Sequence, residues 1–325
     1  MLLFFGIGDF ELLRQWNIEY VYCEILFEFV MEKIMCDRKN KLTKDELHRL
    51  HEIYIDFIVY FQKICDENGL MFYLCGGGCI GAIRHNGFIP WDDDIDIFMP
   101  RPEYEKLKVV WREKADNNRY PICFPSKMFN NHNQFITIAD ANTTYIRPYQ
   151  RDIDMPHGLV LDIFPLDGYP SSSWKRKVQI FWALIYLLYC TQLIPKNNGF
   201  IKKIVSATLL KIVPKKFYYS IWSYAEKQMS KHDFYKSEYV TEICAGPYYL
   251  KNKYPQLAFR KAILKDFEGL KLPVPVGYDE YLRIAFGDYM TMPPKEKQVG
   301  HHEALFMDLE NPYIKYKGKY YCKDK

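Results

Sequence analysis

Ile89–Met99 reads IPWDDDIDIFM, with four carboxylates among the five residues from Asp92 to Asp96 and then an apolar run. A solvated acidic turn has no use for the Ile-Phe-Met that follows. Pro90 biases Ile89 toward an extended backbone, and DIDIFM alternates with the period of a strand. Alternate side chains of a strand share a face, so Asp94 and Asp96 project together while Ile95 and Ile97 point into a sheet. Two carboxylates held that way repel unless a cation or proton lies between them. Mg²⁺, which takes oxygen ligands and keeps water or phosphate in its other positions, suits the pair. By the same parity Asp92 can serve as a further ligand or support, whereas Asp93 should face elsewhere.

Two other readings compete. One is an acidic surface turn. The other is a calcium loop, because counting Asp92, Asp94 and Asp96 as its first, third and fifth positions puts Glu103 at the twelfth. That loop needs Gly at its sixth position, where this chain has Ile97, and Pro100 and Pro102 interrupt its second half.

Upstream, LMFYLC reads as a short buried strand and GGGCIGAIRH as a glycine turn opening into a helix. Gly76, Gly77 and Gly78 can bring backbone N–H groups and a helix N-terminus close to a phosphate. Such a turn, followed closely by an Asp-x-Asp strand, pairs an element for phosphates with one for the metal that bridges them. Arg84 and His85 lie between the two. Either they hold phosphate oxygens, Arg84 bidentately, or Arg84 pairs with one of the nearby Asp residues.

Farther out, Thr43 and Glu46 stand in capping-box relation ahead of Leu47, Leu50, Tyr54, Phe57, Ile58, Phe61, Ile64 and Cys65, which recur at helical spacing. Asn68 and Gly69 end that helix. RPEYEKLKVVWREKA predicts another, with Pro102 in its first turn. Residues 120–149 are irregular with short strands such as QFITIA, and GLVLDIFPLDGYP predicts a strand ending at Pro165. The stretch 173–232 has a helical pattern. A hairpin around Glu268 and Gly269 and a helix over YDEYLRIAF follow.

The 325 residues can bury a sizeable core, and 49% hydrophobic content excludes disorder. Lys plus Arg total 44 against 40 Asp plus Glu, so no broad basic surface marks a nucleic-acid partner. Nine scattered Cys without a CxxC pair fit reduced thiols in the cytoplasm. The opening MLLFFGIGDFELLRQW lacks a basic start and meets Asp9 and Glu11 early, so no export signal is expected. VQIFWALIYLLYCTQLIP, between basic clusters, falls short of the run of about 20 apolar residues that spans a membrane. It is either a buried helix or an interfacial one, and residues 174–216 are a candidate for peripheral membrane contact.

LCGGGCIGAIRHNGFIPWDDDIDIFMPRPEYEKL resembles the signature of the LicD family, nucleotidyltransferase-fold phosphotransferases that include bacterial choline-phosphate transferases and are related to fukutin-related protein. The likeness extends through LTKDELHRLHEI upstream, and downstream through LVLDIFPLDGYP and DFEGLKLPVPVGYDEYLRIAFGDYMTMPP to His301 and His302. It implies an α/β (mixed α+β) fold, a nucleotidyltransferase-like mixed sheet core flanked by helices, with additional helical segments. Residues 1–41 would form an N-terminal helical extension, 42–170 the core, 171–235 a helical insertion that can face a membrane, and 236–325 the part that completes the core.

The resemblance also implies that Asp162 joins Asp94 and Asp96 as catalytic and metal-holding residues, with Mg²⁺, or Mn²⁺ in its place. Taken alone, Asp162 reads as a strand-end or surface acid. Asp167 is its neighbour and rival, although after Pro165 it suits the cap of a turn. The implied donor is CDP-choline or a related CDP-alcohol. The implied acceptor is a hydroxyl of a cell-surface glycan precursor of the lipopolysaccharide or teichoic acid type, which can be lipid-linked, so the enzyme would work in the cytoplasm or on the inner face of the membrane. Asp162 or a neighbour would be the general base. His301 and His302 match a family His or are a surface pair. A choline cage would need ring faces, for which Trp91, Tyr145 and Tyr149 are candidates. The chain departs from the family at Gly78, where a hydroxyl residue is usual, and in the length before Leu42. A transferase with another CDP or NTP donor and a catalytically silent glycan-binding relative are the alternative readings.

Overall fold

The computed structural model describes residues 42–193, 200–300 and 304–323. The expected helical extension before Leu42, together with His301 and His302, falls outside the described residues.

Helix α1 (Lys44–Glu67) starts where its cap is written: Thr43 Oγ1 accepts from the Glu46 N–H at 3.2 Å, and Glu46 Oε2 accepts from the Thr43 N–H at 2.8 Å. Its buried face carries Leu50, Ile53, Tyr54, Phe57, Ile58, Phe61, Ile64 and Cys65. Gly69, at φ +60°, lets the chain turn out of the helix. The chain then enters β1 (Tyr73–Leu74), α2 (Gly76–Arg84), β2 (Asp96–Pro100) and α3 (Arg101–Lys114). Strands β3 (Ile122–Cys123), β4 (Ile136–Asp140), β5 (Thr144–Ile146) and β6 (Leu159–Tyr169) follow.

The sheet runs in the order β1-β2-β6-β4-β3, with β2 and β6 parallel and the other pairs along that order antiparallel. The connection from β2 to β6 is long, as a parallel pair requires, and it includes α3 and strands β3 to β5. One hydrophobic core on this sheet gathers the α1 face, Ile97, Phe98, Leu161 and Ile163, so the fold is mixed α/β.

Strand β6 does not end at Pro165, as its sequence predicts. It runs on to Tyr169 because its neighbours change. β4 pairs it only as far as Ile163, and β7 (Tyr239–Thr241) takes over from Asp167. Pro165 lies in the gap between those two partners, where its missing N–H removes no ladder bond on that side. Strand β7 then pairs with β8 (Tyr254–Pro255).

The helical stretch is α4 (Ser173–Thr191), α5 (Phe200–Ile212) and α6 (Tyr218–Met229). Helices α4 and α6 share a second core built on Ala183, Tyr186, Trp222, Ala225 and Met229. Gln179 Nε2 on α4 donates to Gly168 O at 3.0 Å, and Arg176 Nη2 donates to Thr241 Oγ1 at 3.2 Å, which tie this core to β6 and β7. The expected hairpin is β9 (Ala262–Phe267) with β10 (Leu270–Pro275), and the helix after it is α7 (Tyr278–Phe286). Strand β11 (Phe306–Asp308) closes on β5.

Candidate active site

The glycine turn and the acidic segment are one structure. Cys75 N–H donates to Asp96 O at 3.1 Å, which joins the start of α2 to the start of β2. Gly76 follows at φ +52°, and its N–H donates to Tyr281 Oη of α7 at 2.9 Å. A Cβ on Gly77 would stand 2.0 Å from Asp92 Oδ2, and one on Gly76 would stand 3.9 Å from Asp96 Oδ2. Two carboxylates therefore lie against the first turn of α2, where the helix dipole favours negative charge. Gly77 must lack a side chain because Asp92 occupies that space. At Gly78 the added Cβ would meet Leu74 at 3.7 Å, an ordinary contact, so space does not dictate glycine there.

Asp94 precedes the strand, since β2 begins at Asp96. Without strand geometry the parity argument does not hold for residues 92–94. Asp92, Asp93 and Asp94 each place one carboxylate oxygen within 4.8 Å of the others, so Asp93 turns toward its neighbours. A Cβ on Gly300 would stand 2.7 Å from Asp93 Oδ2, which places the C-terminal part of the chain against this cluster.

On β2 and β6, Asp96 and Asp162 are register partners on adjacent parallel strands. Asp162 is 8% exposed, and its Oδ2 accepts from Arg147 Nη2 at 2.9 Å. Its Oδ1 is buried without a hydrogen-bond partner. Burial works against the Arg147 charge, but Asp162 offsets this and holds the guanidinium firmly protonated. Arg147 Nη1 also donates to Tyr149 Oη at 3.3 Å, and Tyr149 Oη donates to Asn133 Oδ1 at 3.0 Å. Tyr54, whose Oη donates to Val160 O at 3.1 Å, and Tyr145 both lie in the field of Asp94 and Asp162. Burial first, and then a neighbouring carboxylate, Asp94 for Tyr54 and Asp93 for Tyr145, push both phenols up, so they stay protonated. Of the cage candidates, Tyr145 and Tyr149 thus gather near Arg147, while Trp91 is half-buried against the core.

Arg84 and His85 sit at the far end of α2 from the glycines. Arg84 Nη1 donates to Tyr289 O at 2.6 Å and its Nε bonds His85 Nε2 at 2.9 Å. Main-chain carbonyls and His85 thus hold its guanidinium. Asp167 is no turn cap. It lies within β6, fully buried, and takes two bonds from Arg101, Nε to Oδ1 at 2.8 Å and Nη2 to Oδ2 at 2.7 Å. Because β6 continues past Pro165, Asp167 faces α3 and is removed from the cluster around Asp162.

Two further residues, Arg147 and His51, touch the acids of the candidate site. Arg147 lies in the irregular Asn- and Tyr-rich stretch, and only the fold brings it to Asp162. His51 Nε2 is 2.8 Å from Asp92 O, and its ring stacks on Phe88 with centroids 3.8 Å apart. A carbonyl only accepts, so Nε2 carries the proton, and burial keeps the ring neutral. His51 thereby pins the backbone of the acidic segment. Its position on the helix of LTKDELHRLHEI could have marked it, as it faces the core side one turn before Tyr54.

The close-set carboxylates of Asp92, Asp93 and Asp94 fit a hard divalent cation, and Asp162, which is not one of that group, offers a buried Oδ1 without a hydrogen-bond partner. Residues 69–184 match the family model described as LicD/FKTN/FKRP, nucleotidyltransferase domain. The chain is also 28% identical over 276 residues to the lipopolysaccharide cholinephosphotransferase LicD of Haemophilus influenzae, an alignment that covers 81% of this chain and 97% of that relative.

Proposed function

The chain belongs to the LicD family, and from that premise we propose that it is a metal-dependent phosphotransferase. It would move phosphocholine, or a similar alcohol phosphate, from a CDP-linked donor to a hydroxyl of a cell-surface glycan precursor of the lipopolysaccharide or teichoic acid type. The observation that carries this reading is the register of Asp96 with Asp162, with the first turn of α2 against Asp96 and Asp92. Asp94, Asp96 and Asp162 would hold Mg²⁺ or Mn²⁺, which when bound offsets the charge of the diphosphate and of the leaving CMP.

Arg147 takes one oxygen of Asp162, so Asp162 has a single oxygen to offer. That oxygen cannot both hold the ion and act as general base. We therefore assign the proton to a carboxylate of the 92–94 cluster that does not hold the ion. The acceptor hydroxyl loses its proton to that carboxylate as its oxygen forms a bond to the distal phosphorus. The bond from that phosphorus to the CMP oxygen breaks, and CMP leaves with the electron pair. Tyr145 and Tyr149 would supply ring faces for a quaternary ammonium.

Calorimetric titration with CDP-choline, CDP-ribitol, CDP-glycerol and CTP, each with Mg²⁺ and with EDTA, tests the reading. Binding of CDP-choline alone, lost in EDTA, is the expected result. Preference for another nucleotide would replace the donor and leave the reaction class, whereas no binding to any of the four would favour a catalytically silent relative.

A further inference from the structure

Between Asp167 and Glu226 the chain holds nine Lys and Arg and no Asp or Glu. With a whole-chain formal charge of +4, the remainder is net acidic. Such an asymmetry calls for an anionic partner, and the helices formed by this stretch show how one could be met.

Helix α4 buries Arg176, Gln179, Ala183, Tyr186, Tyr189 and Cys190. The opposite stripe, at helical i, i+3, i+4 spacing, carries Trp174, Lys177, Phe181 and Leu184. Trp174 is 72% exposed, Phe181 54% and Leu184 44%. Lys175 is exposed beside them. At the end of α5 and in the turn after it, Ile212 and Phe217 are exposed together with Lys211, Lys215 and Lys216. Large apolar side chains thus stand in solvent among lysines, with no acid in the segment to balance them.

We propose that this surface lies on an anionic lipid bilayer, with the Trp174–Leu184 stripe of α4 set into the headgroup region and the neighbouring lysines against lipid phosphates. Trp and Phe sit well at that depth, and lysines flanking such a stripe are drawn by the surface potential. Among the described residues no helix is long and apolar enough to cross a membrane. Helix α4 also keeps its polar Arg176 and Gln179 bonded to the protein, so it rests on the surface and does not insert through it. The inference does not depend on the catalytic reading, because it concerns where the protein binds and not what it transfers.

The test is sedimentation of the purified full-length chain with vesicles of phosphatidylcholine, or of phosphatidylcholine mixed with phosphatidylglycerol. The native chain should pellet at least about tenfold more with the mixed vesicles, and salt should reverse this. Phe181→Glu and Lys177→Glu, each checked for an unchanged thermal melt, should abolish most of the binding. Lys63→Glu, an exposed charge on α1, should leave it intact. Equal loss in Lys63→Glu would mean general charge attraction and overturn the assignment, as would binding that survives both α4 variants. A Phe181→Glu variant that alters the mass in light scattering but not vesicle binding would make the stripe a contact between copies of the chain and also overturn it.

Discussion

Asp96 and Asp162, far apart in sequence, stand side by side in register on the parallel strands β2 and β6. Neighbouring strands lie about 4.8 Å apart, so the two carboxylates lie side by side at the same end of adjacent strands, where both can reach one cation, while Arg147 already offsets the charge of Asp162. Asp96→Asn keeps the shape and removes the charge. Transfer should fall by at least ~10²-fold, and Mg²⁺ binding should weaken in calorimetry. A steep loss of stability in this variant would mean that Asp96 serves the fold first.

Arg147 balances Asp162 in a setting that is nearly closed to water, with side-chain exposures of 12% and 11%. Arg147→Ala leaves a buried carboxylate without its cation, and denaturant unfolding should register a loss of about 3–5 kcal/mol. Arg147→Lys retains the charge but not the fork that also reaches Tyr149, and should fall between the two. In a double-mutant cycle with Asp162→Asn, the two sites should couple by about 1–3 kcal/mol. Simple additivity would remove the pairing from the account of the site.

Gly77 is glycine because the Asp92 carboxylate fills the space of its missing Cβ. Gly77→Ala should push Asp92 away and weaken Mg²⁺ binding in calorimetry, with little effect on global stability, since the clash is with the end of one side chain. Trimming the neighbour relieves it. Adding Gly77→Ala to an Asp92→Ala background should therefore cost less affinity than adding it to the native chain.

Glu242 is buried behind the glycine turn, with Tyr254 Oη and Asn252 Nδ2 bonded to its Oε1. Burial pushes its carboxyl from an ordinary 4.5 up to about 7, against the pull of those two bonds. Below pH 4.5 both folded and unfolded chains hold the proton and the group contributes nothing. As pH rises from 4.5 to about 7 the unfolded chain releases it first, so the folded chain binds more protons and stability falls, by about 3 kcal/mol in all. Glu242→Gln should flatten that slope, melting above the native chain at pH 8 and level with it near pH 4.5. An unchanged slope would move the titration elsewhere.

Elements whose causes lie within a few residues were legible in the chain itself. The Thr43–Glu46 box and the apolar spacing after it determine α1. Glu268 and Gly269, both at positive φ, make the turn between β9 and β10. The acidic run after a glycine turn marked the candidate site, and the resemblance to the LicD family supplied the reading of its reaction class. Tertiary structure decided what depends on contacts between distant residues. Asp93 joins Asp92 and Asp94 because the loop, not the strand, sets their directions. Strand β6 passes Pro165 because β4 gives way to β7 there. Arg101 claims Asp167, and Arg147 claims one oxygen of Asp162. Periodicity reports which face a side chain takes on its own element, whereas pairing and burial of charge depend on which elements the fold sets side by side, and that is written only in the packing of the whole chain.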